Sequence, residues 1–250
     1  MSVLAVEVPS SSIELPCMLA IEDLFKRVPV GFMRRKVDIL KGATLTVRQG
    51  EVVGLLGPNG AGKTTTLKHV LGLMRPNSGR VEVAVTKDRI GYMPENPYFY
   101  DYLSGAEFLQ FCARLFGGSA HERHQRIDQL LRDVGLEEAA RVQLRKYSKG
   151  MLQRIGIAQA LINDPEFVLL DEPMTGLDPV GRVEVKRIIE HLHSAGKTIL
   201  FNSHILADVG ELCTHIAIMR DGRVAYEGSV AAAVGEGGDL EAFFMKVVTS

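Results

Sequence analysis

Residues Gly57-Pro58-Asn59-Gly60-Ala61-Gly62-Lys63-Thr64 combine three glycines with a cation and a hydroxyl in one short run, and Thr65 follows. Such a run can cradle phosphate only between a strand and a helix. Both are expected here. VVGLL precedes it as a continuous apolar, β-branched stretch, and TTTLKHVLGLM follows with Leu67, Val70, Leu71 and Met74 at helical spacing. The glycines let successive backbone N–H groups turn inward around a β-phosphate. The helix N-terminus adds partial positive charge. Lys63 then reaches the β- and γ-phosphates, and the Thr64 hydroxyl is suited to Mg²⁺.

A second constellation lies more than a hundred residues on. In PEFVLLDEP an apolar strand ends in Asp171 and Glu172. Placed beside the phosphate loop, Asp171 can hold Mg²⁺ through water, and Glu172 can polarise an attacking water as general base. Taken alone, the pair reads better as a strand that merely ends in solvated carboxylates. Met174-Thr175-Gly176-Leu177-Asp178 follows at once, and His204 closes the next strand, in FNSHIL.

The elements that must position these groups alternate. EVVGLLG at 51–57, FVLLD at 167–171, TILFN at 198–202 and HIAIM at 215–219 read as buried strands, with helical patterns between several of them. This is the layout of a layered α/β domain with a largely parallel sheet. Asp221-Gly222 is a turn pair that makes the last strands a hairpin. The stretch from about Pro97 to Gln143 lacks strand signals, and Phe108, Phe111, Cys112 and Leu115 fall on one helical face. It is expected to be an inserted helical subdomain. DLEAFFMKVV reads as a closing helix.

Composition sets the outer limits. The 250 residues are 46% apolar and 24% charged, enough for a sizeable core. With 29 basic and 30 acidic side chains the formal net charge is -1, which disfavours a chain built to coat nucleic acid. Arg34, Arg35 and Lys36 are expected in a solvated loop. Cys17, Cys112 and Cys213 are odd in number and widely spaced, which favours a reducing compartment over disulfides or zinc. The first residues lack a charged start with an apolar core, and no run approaches a membrane span. A loose leader is expected there.

Together the phosphate loop, Asp171–Glu172, Met174–Asp178 and His204 resemble those of an ABC ATPase, the nucleotide-binding subunit of ABC transporters, over residues 19–230. The resemblance implies a phosphate-loop core with an antiparallel β subdomain and a helical subdomain at about 97–150. Residues 1–18 then form the leader and 231–250 a helical tail. The family's signature segment appears as Tyr147-Ser148-Lys149-Gly150-Met151, where Ser148 and Gly150 match and the other three depart. As residues, Ser148 is an N-cap for a helix whose Met151, Ile155, Ala158 and Ile162 share a face. By resemblance, Ser148, Lys149 and Gly150 contact the γ-phosphate held by a second subunit, and Asp178 crosses to that subunit's phosphate loop. His204 supports the γ-phosphate and the attacking water. Two positions depart further. Val28 falls where an adenine-stacking aromatic is usual, and Phe32 is the substitute expected. Glu95 stands where the family has Gln, and its carboxylate can also approach Mg²⁺.

ATP and Mg²⁺ are the implied ligands. The implied partners are a second copy or a homologous ATPase subunit, and membrane-spanning permease subunits, with no nucleic acid. The implied place is the cytoplasmic side of the membrane, peripherally bound. A soluble ABC mechanoenzyme of DNA repair or translation is the other class. It fits less well, because the insertion between Lys63 and Ser148 has no sustained heptads and the chain holds one cassette. YMPE and YSKGM are most similar to bacterial exporters of the ABC-2 type.

Overall fold

The computed structural model describes residues 15–30, 35–235 and 238–249. Two sheets form it. Strands β1 (Cys17–Val30), β2 (Arg35–Arg48) and β4 (Ser78–Val83) make an antiparallel sheet in the order β2-β1-β4. Strands β3 (Val52–Leu56), β5 (Ile90–Met93), β6 (Phe167–Asp171), β7 (Thr198–Asn202), β8 (His215–Arg220) and β9 (Arg223–Ser229) make a six-stranded sheet in the order β5-β6-β7-β3-β8-β9. It is parallel except for the β8–β9 hairpin. The turn of that hairpin is Asp221-Gly222, with φ of 49° and 79°, as a two-residue turn with both central residues left-handed requires.

The apolar runs of β3, β6 and β7 are continuous because both faces of the sheet are covered. Val53, Leu55, Leu169 and Leu200 face the antiparallel sheet with Leu19, Ile21 and Leu45. Leu56, Val168, Leu170, Ile199 and Phe201 face the helical side with Ile155, Val185 and Met93. The helices are α1 (Lys63–Val70), α2 (Gly105–Ala113), α3 (Ala120–Asp133), α4 (Lys149–Ala160), α5 (Pro179–Ser194), α6 (Leu206–Leu212), α7 (Val230–Val234) and α8 (Leu240–Thr249). Helices α2 and α3 each begin with a reciprocal capping box, Ser104 with Glu107 and Ser119 with Glu122.

Three sequence expectations change. Strand β1 starts at Cys17, inside the expected leader, because pairing of Cys17 with Arg48 extends the hairpin beyond Leu19. Arg35 and Lys36 open β2 opposite Val30 and Pro29, so they belong to a long two-stranded ribbon and not to a loop. The face of α2 splits: Phe108 and Cys112 are buried, while Phe111 and Leu115 are exposed. Helix α2 ends at Ala113, and the tighter turn at Arg114–Phe116 swings Leu115 away. The three cysteines are free thiols.

Candidate functional site

The phosphate loop runs from the end of β3, central in the six-stranded sheet, into α1. Gly62 is the N-cap of α1 with φ of 109°, and a Cβ there would stand 2.6 Å from Leu40 Cδ2. Only glycine fits both constraints. Gly60, with φ of 82°, has nothing within 4 Å of a built Cβ, so the loop leaves open space at that point. Among the described residues, none accepts from the N–H groups of Asn59, Gly60, Gly62, Lys63, Thr64 or Thr65. A helix start with this many free donors is an anion site in its chemistry.

A cavity of about 530 Å³ opens here, lined by Asn59, Gly60, Gly62, Lys63, Thr64, Thr65, Glu95, Glu172 and His204, with Ile39 and Thr175. Lys63 Nζ donates to the carbonyls of Gly57 at 2.6 Å and Pro58 at 3.3 Å, holding the loop closed on itself. Burial lowers its pKa, while Glu172, Asp171 and Glu95 oppose that shift. Thr64 Oγ1 donates to Asp171 Oδ1 at 3.2 Å. Glu172 Oε2 accepts from Thr175 Oγ1 at 2.9 Å and lies 2.8 Å from His204 Nδ1. Glu172 has φ of 53°, a conformation costing about 1–3 kcal/mol in a non-glycine residue, as strained site residues do.

Asp171 is 1% exposed, and burial pushes its pKa up. Hydrogen bonds from Asn202 and Thr64 pull it back, and neighbouring Glu172 adds to the rise. A carboxyl whose folded pKa is raised binds more protons folded than unfolded, so stability falls as pH rises between the two values. The cost is complete above the raised pKa and absent below the ordinary carboxylate range. Asp171→Asn, which keeps the acceptor oxygen, should therefore raise the melting temperature of the nucleotide-free protein at pH 7–8. That gain should shrink on acidification. Thermal melts across pH check it, and a lower melting temperature at pH 7–8 would contradict it.

Three acids and one lysine stand at the cavity: Glu95, Glu172 and Lys63 line it, and Asp171 is buried behind Thr64. At an effective dielectric of about 20, each unit-charge pair 4 Å apart is worth about 4 kcal/mol. A polyphosphate therefore needs a cation to enter beside these carboxylates. The donor set, a carboxylate with a hydroxyl, is hard oxygen and fits Mg²⁺. No cluster of three or more His, Cys, Asp or Glu forms a metal cage among the described residues. Mg²⁺ needs none, since it keeps water and shares substrate phosphates.

The remaining expected residues gather elsewhere. Ser148 caps α4 by accepting from Met151 N at 3.2 Å, and Asp178 caps α5 by accepting from Gly181 N at 2.7 Å. Ser148, Lys149, Gly150 and Asp178 line a hollow of about 300 Å³ that shares no residue with the phosphate cavity. Phe32 lies outside the described residues, and Ile39 is the apolar side chain on the cavity wall. Ile39 and Asn202 carry no local mark as site residues, because strand pairing brings them in, whereas Thr175 reaches Glu172 from three residues along within the Met174–Asp178 run. A further tie lies behind the site. Asp208 on α6, fully buried, accepts from Arg182 on α5 at 2.6 Å and meets Lys186 at 2.9 Å.

A parallel sheet whose central strand feeds a phosphate loop, with a carboxylate pair at the end of β6, one strand beyond its neighbour β7, defines a phosphate-loop nucleoside triphosphatase. The pattern of the ABC transporter family matches residues 40–175. The chain belongs to the ABC transporter family, among its ATP-binding subunits. It is 52% identical over 230 residues to an ABC transporter ATP-binding protein of Nostoc sp., covering 88% of this chain and 69% of that one. It is 42% identical over 194 residues to a fluoroquinolones export ATP-binding protein of Mycobacterium tuberculosis, covering 74% and 63%. The chain thus spans about two thirds of the length of these relatives. A solved ATP-binding subunit of an ABC transporter superposes with a TM-score of 0.79 at 30% identity, covering 92% of this chain and 99% of that one. A dimeric structure of the bacterial ABC transporter cassette MJ0796 gives 0.77 at 25% identity, covering 85% and 99%.

Proposed function

We propose that this chain binds and hydrolyses Mg²⁺-ATP in a head-to-tail pair, with a second copy or a homologous ATPase subunit, and so drives a separate membrane-spanning permease, as an exporter. The observation that carries this is the separation of the two hollows. The phosphate cavity supplies Lys63, Thr64 and Glu172, whereas Ser148, Lys149, Gly150 and Asp178 face solvent around another hollow. Each half is incomplete alone. In the pair, Ser148, Lys149 and Gly150 meet the γ-phosphate bound by the opposite chain, and Asp178 meets its phosphate loop.

Within one site the roles divide as follows. The phosphate loop from Gly57 through Thr65 wraps the phosphates with free N–H groups, and Lys63 swings from the Gly57 and Pro58 carbonyls to phosphate oxygen. Thr64, Asp171 and Glu95 would hold Mg²⁺, which when bound would neutralise phosphate charge. Glu172 takes the proton of the attacking water. His204 steadies that carboxylate through Nδ1 and then the γ-phosphate. Glu95 follows β5 on an exposed turn, placed to relay the state of the phosphate cavity toward the helical region. There Tyr98, Tyr102, Leu115 and Phe116 are exposed, an apolar surface for a short helix of the permease. Among the described residues no helix is long and apolar enough to cross a membrane. Attachment to the cytoplasmic face would come through the permease. The export direction leans on the mycobacterial relative and on the YSKGM segment.

Ser148→Glu tests the pairing directly, since it sets a negative charge against the opposite γ-phosphate. Nucleotide binding to the single chain should persist. ATP-induced dimers should vanish from light scattering, and turnover should fall with them. Unchanged turnover would sink the head-to-tail arrangement.

A further inference from the structure

Asn202 ends β7 directly beside Asp171 at the end of β6, in parallel register. Its side chain is fully buried, and Nδ2 donates to Asp171 Oδ1 at 2.7 Å, shorter than the Thr64 bond to the same oxygen. Its main-chain carbonyl accepts from the N–H of Glu172 at 3.2 Å, the residue with φ of 53°. Two residues later comes His204, bonded to Glu172 Oε2. One side chain and one peptide thus touch both site carboxylates, from behind the cavity and not from its wall. The amide's own Oδ1 has no partner among the described residues. Rotating the amide to satisfy it would turn carbonyl oxygen against a carboxylate. The fold therefore keeps an unpaired buried acceptor in order to keep this donor, a pattern that calls for a reason at a functional site.

We propose that Asn202 is a positioning residue for the divalent cation: its buried amide aims the Asp171 carboxylate at the phosphate cavity while its carbonyl fixes the turn that carries Glu172. This rests on the Mg²⁺-ATP reading above. Leucine at 202 fills similar volume without a donor and leaves Asp171 with Thr64 alone. Outer-shell partners of this kind change metal affinity by about 10–100-fold when removed.

The test uses the full chain, Mn²⁺ as the cation and a fluorescent ATP analogue. Analogue affinity is measured in EDTA, and Mn²⁺ affinity of the nucleotide-bound protein is read from its electron paramagnetic resonance signal. Asn202→Leu should leave affinity in EDTA within about twofold of wild type, because the phosphate loop is untouched. It should raise the half-saturating Mn²⁺ concentration by about 10–100-fold. Asn202→Ala withdraws the amide donor without apolar bulk and serves the same comparison where the Asn202→Leu protein fails to fold. Unchanged Mn²⁺ affinity in a folded variant overturns the proposal. So does a parallel loss of affinity with and without Mn²⁺, which marks a residue needed only for the fold. Absence of Mn²⁺-enhanced analogue binding in the wild-type protein would instead sink the Mg²⁺-ATP reading, and this proposal with it.

Discussion

Glu172→Gln should bind ATP as the wild-type chain does and lose turnover by roughly 10²–10⁴-fold, the contribution of a positioned general base. That corresponds to about 3–5 kcal/mol in the barrier. The substitution is nearly isosteric. A glutamine oxygen can still accept from Thr175 Oγ1 and His204 Nδ1, so the turn at 172 keeps its supports. What disappears is the capacity to take a proton. The ATP-bound pair should then accumulate, visible as a dimer in light scattering with ATP and not with ADP. Phosphate release under saturating ATP is the deciding measurement. Near-normal release would remove Glu172 from the base role and leave His204 as the group to examine.

Lys63→Ala should nearly abolish nucleotide binding. At an effective dielectric of about 20, one charge contact at 4 Å is worth about 4 kcal/mol, or about three decades of affinity. A second loss compounds it. Lys63 Nζ also bonds the carbonyls of Gly57 and Pro58, so alanine frees the loop that the free N–H groups depend on. The cavity would then keep Glu95, Asp171 and Glu172 with no lysine against them, which repels a polyphosphate further. Equilibrium binding of a fluorescent ATP analogue checks this. Affinity within tenfold of wild type would show that the backbone donors alone carry the phosphates.

Legibility in the sequence followed contiguity. The phosphate loop is eight adjacent residues between a strand and a helix, so its pattern carries its context. The Asp171–Glu172 strand and the Asp221-Gly222 hairpin were legible for the same reason. Ser148 as a cap was also readable, because an N-cap acts on the N–H three residues along. Asn202 carried no such mark. Asn202 becomes a partner of Asp171 only because β7 lies beside β6, and strand order is not written in any window of sequence. On the α2 face, Leu115 departs because the helix ends at Ala113, before it, whereas Phe111 lies within the helix and is exposed beside the buried Phe108 and Cys112. Arg35 and Lys36 depart from the expected loop because a charged run at the open end of a two-stranded ribbon has the composition of a loop, and Arg34 lies outside the described residues.

The place of β3 in the sheet has a consequence for biosynthesis. Its hydrogen-bonded neighbours are β7 and β8, and β8 ends at Arg220. On the ribosome, Leu56 therefore waits for about 160 further residues, roughly 8–33 s at about 5–20 residues per second. The antiparallel sheet needs only residues through Val83 and can pair early, and Leu67 and Val70 of α1 can cover part of its inner face, but Phe167, Leu169, Leu200 and Ala217 complete that core only later. Until β7 is made, VVGLL is an apolar strand without a paired neighbour, followed by a glycine-rich loop and α1 that no sheet yet holds in place. Nucleotide cannot shelter it, since Asp171 and His204 are still untranslated or unplaced. The nascent chain thus depends on other means of covering β3, and its exposure ends when β8 arrives.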